Sequence, residues 1–267
     1  MSLRDRIATP EGKRRYVRAL FATIADRYDF ITIFLSYGQD RRWKRRLVDM
    51  APPLAGARAL DLATGTGDIA FALAARGADA IGLDITLRMI ELARAKQRAA
   101  RTSTRACPER SSFDKLRTSG RRVGPGGHAG PPPHFLVGDM LALPFPDASF
   151  DLVTTGYGLR NVPNLELAIR EIRRVLKPGG RMLSLDFNRP SNRVVRLAYL
   201  MYLSAVGAAL GWVLHRDPDT HRYIPASIRQ YPGAGAVVRM LEAHGFTRAQ
   251  YYPVLGGLMA IHHAVRA

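Results

Sequence analysis

The chain has almost no cysteine. A single cysteine, Cys107, stands among 267 residues, so no internal disulfide can form. No cluster of cysteine and histidine has the spacing of a zinc site. These absences favour a reducing, cytoplasmic compartment, and we expect no bound metal. The stretch Met1 to Arg18 is basic and lacks an apolar run, so we also expect no export signal.

Acidic residues are scarce relative to basic ones. The chain has 22 Asp and Glu against 40 Lys and Arg, a net charge of +18. Such a charge suits nucleic acid or an anionic membrane surface, or it reflects only a general preference for arginine. A nucleic-acid binder is disfavoured because no motif interleaves aromatic and basic side chains. A membrane surface and the preference for arginine remain as the two explanations.

Long uncharged runs are also rare. One of them, Leu197 to Leu214, approaches the length of a membrane-spanning helix. Gly207 and Gly211 interrupt it, and it lies in the middle of alternating strands and helices. We therefore expect a helix that covers an apolar substrate and does not span a bilayer.

Apolar periodicity is missing between Ala99 and Pro133. This stretch is rich in Gly, Pro, Ser, Thr and Arg, and a structureless loop of that length is improbable inside a compact domain. We predict a disordered insertion, without a function of its own, in a single domain that spans residues 1–267.

A glycine turn is the most informative local pattern. The run from Ala59 to Asp68, Ala-Leu-Asp-Leu-Ala-Thr-Gly-Thr-Gly-Asp, predicts a buried strand and a turn whose Gly65 and Gly67 bring a ligand close to a helix N-terminus. It loosely matches the dinucleotide fingerprint, so a nicotinamide oxidoreductase is one alternative. The carboxylates of Asp61 and Asp68 oppose a pyrophosphate and suit the ammonium group of S-adenosylmethionine.

Two further strands end in acidic residues. Asp84 follows the predicted strand Asp79 to Leu83 and could accept hydrogen bonds from both hydroxyls of a ribose. Asp139 and Met140 end the predicted strand Phe135 to Met140. In a parallel sheet these ends meet at the ligand-binding edge, together with Asp61 and with Gly156 after the fourth strand.

The order of elements predicts an α/β fold. Strands alternate with helices, which implies right-handed crossovers and a doubly wound, mostly parallel sheet. Phe246 to Val254 and Leu258 to Val265 are expected to complete it as an antiparallel pair. Two helices, Lys13 to Ala25 and Trp43 to Met50, precede the sheet, and the aromatic segment Tyr28 to Tyr37 between them forms either a lid over an apolar ligand or a packing element.

Five motifs along the chain carry a resemblance to a known family. They are Leu60 to Asp68, Leu143 to Asp147, Gly156-Tyr-Gly-Leu-Arg-Asn-Val162, Arg174 to Gly180 and Ile228 to Gly233. With these motifs the chain resembles the ubiquinone/menaquinone biosynthesis C-methyltransferase family, a branch of the class I S-adenosylmethionine-dependent methyltransferases. The resemblance covers nearly the whole chain outside the insertion and implies a seven-stranded Rossmann-like sheet with N-terminal helices and a cover helix.

The resemblance also implies ligands and a location. The cofactor is expected to be S-adenosylmethionine, contacted by Thr66, Asp84, Asp139 and Met140. The expected substrate is a prenylated quinol, with the conversion of demethylmenaquinol to menaquinol favoured and a benzoquinol acceptor left open. Another apolar small molecule or lipid is the alternative. Such an enzyme acts in the cytoplasm at the inner face of the cell membrane. The sequence leaves a homo-oligomer open.

The fourth strand is followed by the candidate catalytic residues. A quinol carbon becomes nucleophilic when its ring hydroxyl loses a proton, so the site needs a cation near the ring oxygens. Arg160 and Asn161 are placed to anchor those oxygens, with a salt bridge and a loop cap as the alternative. Tyr157 and Asp186 are further candidates, with packing and loop capping as their alternatives. The family usually has His at Asp40 and sometimes Ser at Gly156.

Overall fold

A seven-stranded sheet forms the centre of the computed structural model, which describes residues 3–36, 38–105, 130–190, 192–215 and 219–267. The strand order is β3-β2-β1-β4-β5-β7-β6. The strands are β1 (Arg58–Leu62), β2 (Asp79–Asp84), β3 (His134–Val137), β4 (Phe150–Gly156), β5 (Leu176–Phe187), β6 (Phe246–Val254) and β7 (Met259–Arg266).

The pairing confirms the predicted doubly wound sheet. Strands β1 to β5 run parallel, and β7 inserts antiparallel between β5 and β6. The chain winds outward in both directions from β1 and β4, which are neighbours, with Asp61 opposite Thr154. Ligands of doubly wound proteins bind beyond the strand ends at such a switch point. The sheet therefore fixes where a site can form.

Ten helices of at least one turn surround the sheet within the described ranges. They are α1 (Leu3–Arg6), α2 (Pro10–Ile24), α3 (Tyr28–Leu35), α4 (Asp40–Asp49), α5 (Asp68–Ala75), α6 (Leu87–Arg105), α7 (Leu165–Val175), α8 (Arg193–His215), α9 (Asp219–Gln230) and α10 (Ala234–Ala243).

The core lies on both faces of the sheet. Helices α7 and α10 pack apolar side chains such as Ile169 and Leu241 onto one face, while α4 and α5 pack Leu47 and Leu73 onto the other. Each of these four side chains is fully buried. Burying one such side chain stabilises the fold by roughly 1.5–3 kcal/mol. Helices α1, α2, α3 and α9 pack together in a separate apolar cluster.

The segment from Tyr28 forms helix α3 although its aromatic and β-branched residues are poor helix formers, because Ile31 packs into the N-terminal cluster. One sequence expectation needs correction. The expected insertion boundary at Ala99 is wrong, since α6 continues to Arg105, at first through the good helix formers Ala99, Ala100 and Arg101. Most of the predicted insertion, residues 106–129, and Tyr37 lie outside the described residues.

Strand boundaries differ less. Strand β3 ends at Val137, so Asp139 and Met140 lie beyond it, where Asp139 forms an isolated bridge with Ala142. The expected cover helix is α8, which buries Tyr199 and Leu203 and packs against α9. Among the described helices, none combines the length and the apolar character needed to cross a membrane.

Candidate active site

The glycine turn is held to the end of β2 by one carboxylate. Asp84 accepts hydrogen bonds from the backbone N–H of Gly65 at 2.9 Å and of Thr86 at 2.8 Å. Gly67 has a φ of 90° and begins α5, and a Cβ there would lie 2.8 Å from the Phe135 ring. Burial raises the pKa of Asp84, and the two N–H donors oppose that shift. The turn therefore requires glycine and is anchored by an acid at the cleft edge.

Five of the predicted cofactor residues line one cleft. These are Gly65, Asp84, Asp139, Met140 and Gly156, and Thr86 and Met89 line it as well. A carboxylate can accept about four hydrogen bonds. Asp84 accepts two from the backbone, so it retains acceptor capacity for a ribose. The donor and acceptor chemistry of the cleft fits S-adenosylmethionine.

Helix α2 lies over this cleft and narrows it. Arg14, Val17 and Phe21 line the cleft from above, and Arg14 Nη2 lies 2.6 Å from Asp139 Oδ2. The cleft encloses about 80 Å³, below the several hundred Å³ typical of ligand cavities. The side chain of Arg14 is 56% exposed, and exposed ion pairs contribute little stability. The ion pair therefore contributes little to holding α2 over the cleft, and the buried residues Val17, Leu20 and Ile24 hold the helix in place.

Asp61 does not line the cleft. Its carboxylate is buried, where it accepts hydrogen bonds from Thr64 Oγ1 at 2.6 Å and from Thr154 Oγ1 at 2.8 Å. Burial raises the pKa of Asp61 to about 7, although both hydroxyls oppose the shift. Its position supports the turn from below and does not support the predicted contact with a ligand ammonium group.

A chain of ion pairs connects the turn to Tyr157. Lys44 Nζ lies 2.9 Å from Asp68 Oδ2 and 2.7 Å from Asp40 Oδ2, and Tyr157 donates a hydrogen bond to Asp40 Oδ1 at 2.7 Å. Burial alone would lower the pKa of Lys44, but Asp40 and Asp68 outweigh it and raise that pKa. Burial and the adjacent Asp40 raise the pKa of Tyr157 far above its usual value, so the phenol stays protonated.

The same chain continues to Thr66. Lys96 Nζ lies 3.2 Å from Asp68 Oδ1 and 2.6 Å from Asp29 Oδ2, and Thr66 donates to Asp29 Oδ1 at 2.7 Å. Thr66 lines a small cavity beside the turn and not the main cleft. Helices α3 and α4 are thus attached to the turn by alternating charges.

A second, larger cavity adjoins the cleft. It encloses about 570 Å³ and is lined mostly by apolar and aromatic side chains from α2, α3, α8 and α9 and from the 255–259 loop. Tyr28, Ile31 and Thr32 of α3 lie in its wall, so the aromatic segment both packs the N-terminal helices and covers the cavity. Phe21, Tyr28 and Tyr157 line the cavity and the cleft alike. The two spaces therefore meet at these three rings.

Arg160 is the charged side chain of that cavity wall. It lies in a short turn after β4, and its Nε is 3.1 Å from Asp186 Oδ1 without the alignment of a hydrogen bond. Its backbone N–H donates to Asp186 Oδ2 at 3.1 Å, and Nη1 donates to Ser227 Oγ at 2.7 Å. Asp186 is fully buried, which raises its pKa, while Arg160 opposes the shift. Arg160 thus forms the salt bridge that was the alternative to a role at the ligand, and it also lines the cavity.

Tyr157 and Asn161 have different surroundings from Arg160. Tyr157 has a φ of 60°, a left-handed conformation that costs a non-glycine residue on the order of 1 kcal/mol. Asn161 Nδ2 donates to the Tyr157 carbonyl at 2.7 Å and stabilises this turn. Asn161 lines the cleft and not the large cavity, and Asp186 lines neither. The predicted contact of Asn161 with a ring oxygen remains a prediction.

Sequence reasoning missed several site residues. Arg14, Phe21 and Lys44 belong to N-terminal helices whose spacing indicated only core packing. Tyr199 and Tyr223, from α8 and α9, complete the large cavity. Two signals were available, the aromatic content of the segment after Tyr28 and the uncharged run that predicted a cover helix.

Comparisons with known proteins agree with this arrangement. The ubiE/COQ5 methyltransferase family matches residues 9–107 and 112–266. A demethylmenaquinone methyltransferase of Thermus thermophilus is 38% identical over 245 residues, 91% of this chain and 98% of that protein. A ubiquinone/menaquinone biosynthesis C-methyltransferase of Dinoroseobacter shibae is 33% identical over 254 residues, 94% of this chain and 91% of that protein.

The fold also has solved counterparts. A magnesium protoporphyrin IX methyltransferase from Synechocystis, solved with bound SAH, has a TM-score of 0.60 and 16% identity, covering 95% of this chain and all of that one. Sheet order and cleft place the chain among the class I methyltransferases, which use S-adenosylmethionine. Within that class, it belongs to the ubiE/COQ5 methyltransferase family.

Proposed function

We propose that this chain methylates a ring carbon of a demethylated prenyl quinol, converting demethylmenaquinol to menaquinol. The observation that carries the proposal is the large apolar cavity, which meets the cofactor cleft at Tyr157 and contains the buried cation Arg160. A cavity of about 570 Å³ accommodates a bicyclic ring and part of a prenyl tail. The relative from Thermus thermophilus carries the matching name.

Each part of the site has a role in this reaction. S-adenosylmethionine supplies an electrophilic methyl group when it is bound in the cleft. Arg160 stabilises the ring oxygen as it loses its proton, and low polarity around the guanidinium strengthens that attraction. Asp186 holds Arg160 in place, and Tyr157 forms the wall between the two ligands. Positioning carries most of the rate in such a displacement.

The prenyl tail implies a place of action. A molecule with a long apolar tail resides in a bilayer, so the enzyme acts as a peripheral protein at the cytoplasmic face of the membrane. The basic net charge of +18 supports this location because the inner leaflet is anionic.

The proposal is tested by comparing acceptors. Purified protein is incubated with methyl-labelled S-adenosylmethionine and either a demethylated naphthoquinol or a demethylated benzoquinol, both kept reduced. We expect rapid transfer to the naphthoquinol. A clear preference for the benzoquinol would make a benzoquinol, and not demethylmenaquinol, the substrate. Transfer to neither acceptor would refute the proposed function.

A further inference from the structure

The exposed apolar residues of the described chain are concentrated around one cavity. Thirteen large hydrophobic side chains are exposed, and nine of them belong to α3, to α8 or to the 255–259 loop. These three segments also line the large cavity. Scattered exposed apolar residues are normal, but a concentration of them marks an interaction surface.

Helix α3 has two faces of different exposure. Phe30, Ile33 and Phe34 are spaced i, i+3 and i+4 and form one exposed stripe, with the Phe30 side chain 56% exposed. Their neighbour Ile31 is buried and lines the cavity from the other side. The rings of Phe30 and Phe34 stack at a centroid distance of 6.3 Å. The stripe therefore is an ordered apolar surface.

Helix α8 repeats this pattern and adds an opening. Val194, Leu197 and Met201 form an exposed stripe at i, i+3 and i+7, with Val194 76% exposed. Beside it, Val195 and Tyr202 are exposed and also line the cavity, as does Leu255 of the loop. These last three residues are the apolar rim through which the cavity meets the surface.

The charges on α8 and on the segment before it have one sign. No acidic residue occurs between Phe187 and Arg216, whereas Arg189 and Arg193 are exposed and Arg196 is half-buried. Arginines beside an apolar helix stripe complement an anionic lipid surface. A second copy of the chain would bring the same arginines against them, which opposes self-association at this face.

We propose that the lipid-facing patch, defined as Phe30, Ile33, Phe34, Val194, Leu197 and Met201, seats the protein on an anionic bilayer. The prenyl tail then passes from the bilayer through the rim into the cavity, without crossing water. This inference rests on the proposed function for the identity of the tail. The attraction to a lipid surface depends only on the exposed stripes and the arginines beside them.

Vesicle flotation of the full chain tests the surface directly. The patch variant carries F30S, F34S, L197S and M201S, and a matched control carries L87S and V137S, two exposed apolar residues away from the cavity. We expect the natural chain and the control to float with vesicles containing phosphatidylglycerol, and the patch variant to partition about tenfold less. High salt should weaken flotation of the natural chain. Equal flotation of both variants would overturn the inference.

A second arm separates this inference from the proposed function. Turnover is measured on a long-tailed quinol in vesicles and on a short-tailed quinol in solution. We expect the patch variant to lose activity about tenfold on vesicles only, since its four residues are not in the cavity wall. A natural chain that methylates neither quinol refutes the proposed function, while flotation still decides the lipid surface. A dimer that only the patch mutations dissociate would assign the patch to self-association and overturn the inference.

Discussion

The cofactor cleft and the large cavity handle charge in opposite ways. Beside the glycine turn at the cleft, acids and lysines alternate, from Tyr157 through Asp40, Lys44 and Asp68 to Lys96, at separations near hydrogen-bond length. The large cavity is mostly apolar, and its one buried ion pair within the described residues joins Arg160 to Asp186. The cleft, whose wall contains Arg14, Asp84 and Asp139, thus suits a charged ligand, and the cavity suits an apolar one.

This difference predicts which mutations affect which ligand. Charges in the network share several partners, so the loss of one is partly compensated. Arg160 has no such substitute among the described residues of the cavity wall, because the other lining side chains are uncharged. We therefore expect separable effects on the acceptor and on the cofactor.

The largest effect should follow loss of Arg160. In R160A, turnover should fall about a hundredfold or more because the ring oxygen loses its cation. Unfolding free energy should fall by about 3–5 kcal/mol, since the buried Asp186 loses the guanidinium beside it and keeps backbone N–H donors in its place. Affinity for S-adenosylmethionine should stay within about twofold, because Arg160 lines the cavity and not the cleft. Turnover, denaturant unfolding and calorimetry measure the three quantities.

Two controls sharpen this result. The double variant R160M/D186N removes both charges and should recover much of the stability without recovering turnover. R160K keeps the charge but not the planar donors, so it should rescue turnover poorly. A parallel loss of cofactor affinity in R160A would assign Arg160 to the cofactor cleft. It would contradict the expected separation of effects on the acceptor and on the cofactor.

The next largest effect concerns Asp84 in the cofactor cleft. D84A should weaken S-adenosylmethionine binding by on the order of 2–4 kcal/mol, through loss of two charge-assisted hydrogen bonds to the ribose. Calorimetry measures it, and D79A at the other end of the same strand is the matched control, since Asp79 makes only a 3.9 Å ion pair with Arg58. A cofactor affinity within twofold of the natural chain would refute the assignment.

A smaller effect should appear as a pH dependence. Burial raises the pKa of Asp61 to about 7 from 3.8, so the folded chain keeps a proton that the unfolded chain releases between these values. This group therefore makes stability fall as pH rises from about 4 to about 7, and level off above. D61N removes the titration, so its unfolding free energy should stay level across that window while that of the natural chain falls. Urea unfolding of D61N and of the natural chain at several pH values measures it. If the two unfolding free energies change with pH in parallel, burial does not raise the pKa of Asp61.

The smallest effect tests the packing of the cleft floor. The family sometimes has Ser at Gly156, but here an added Cβ would lie 2.8 Å from Ile69 Cδ1. G156S should lose about 1–2 kcal/mol of stability through overpacking. I69V removes the contacting methyl and should restore most of that loss in the double variant. A double-mutant cycle on unfolding free energy measures the coupling, and strict additivity would show that the contact does not matter.

The cofactor cleft was more predictable from the sequence than the large cavity was. Gly65, Asp84, Asp139 and Gly156 follow successive strands, and a parallel sheet brings strand ends to one edge. Asp61 is the exception because the residues of a strand alternate between faces, and its side chain turns to Thr154 under the turn.

The large cavity was less predictable from the sequence for a physical reason. Its wall comes from segments far apart in sequence, and an apolar residue that lines a cavity has the same pattern as one that fills the core. Phe21 and Tyr223, for example, carry helical spacing that indicates burial alone. Only the exposed stripes of α3 and α8 distinguish these helices from core helices, and exposure is absent from a sequence.

The central claim is that a cofactor in the cleft and an acceptor in the large cavity meet at a ring carbon of the acceptor, with the ring oxygen held against Arg160. Product analysis with methyl-labelled S-adenosylmethionine and a demethylated naphthoquinol, deuterated at its unsubstituted ring carbon, tests it directly. The account predicts one labelled methyl per acceptor, bonded to carbon, with loss of the deuterium. A methyl on the ring oxygen, with the deuterium retained, would contradict it.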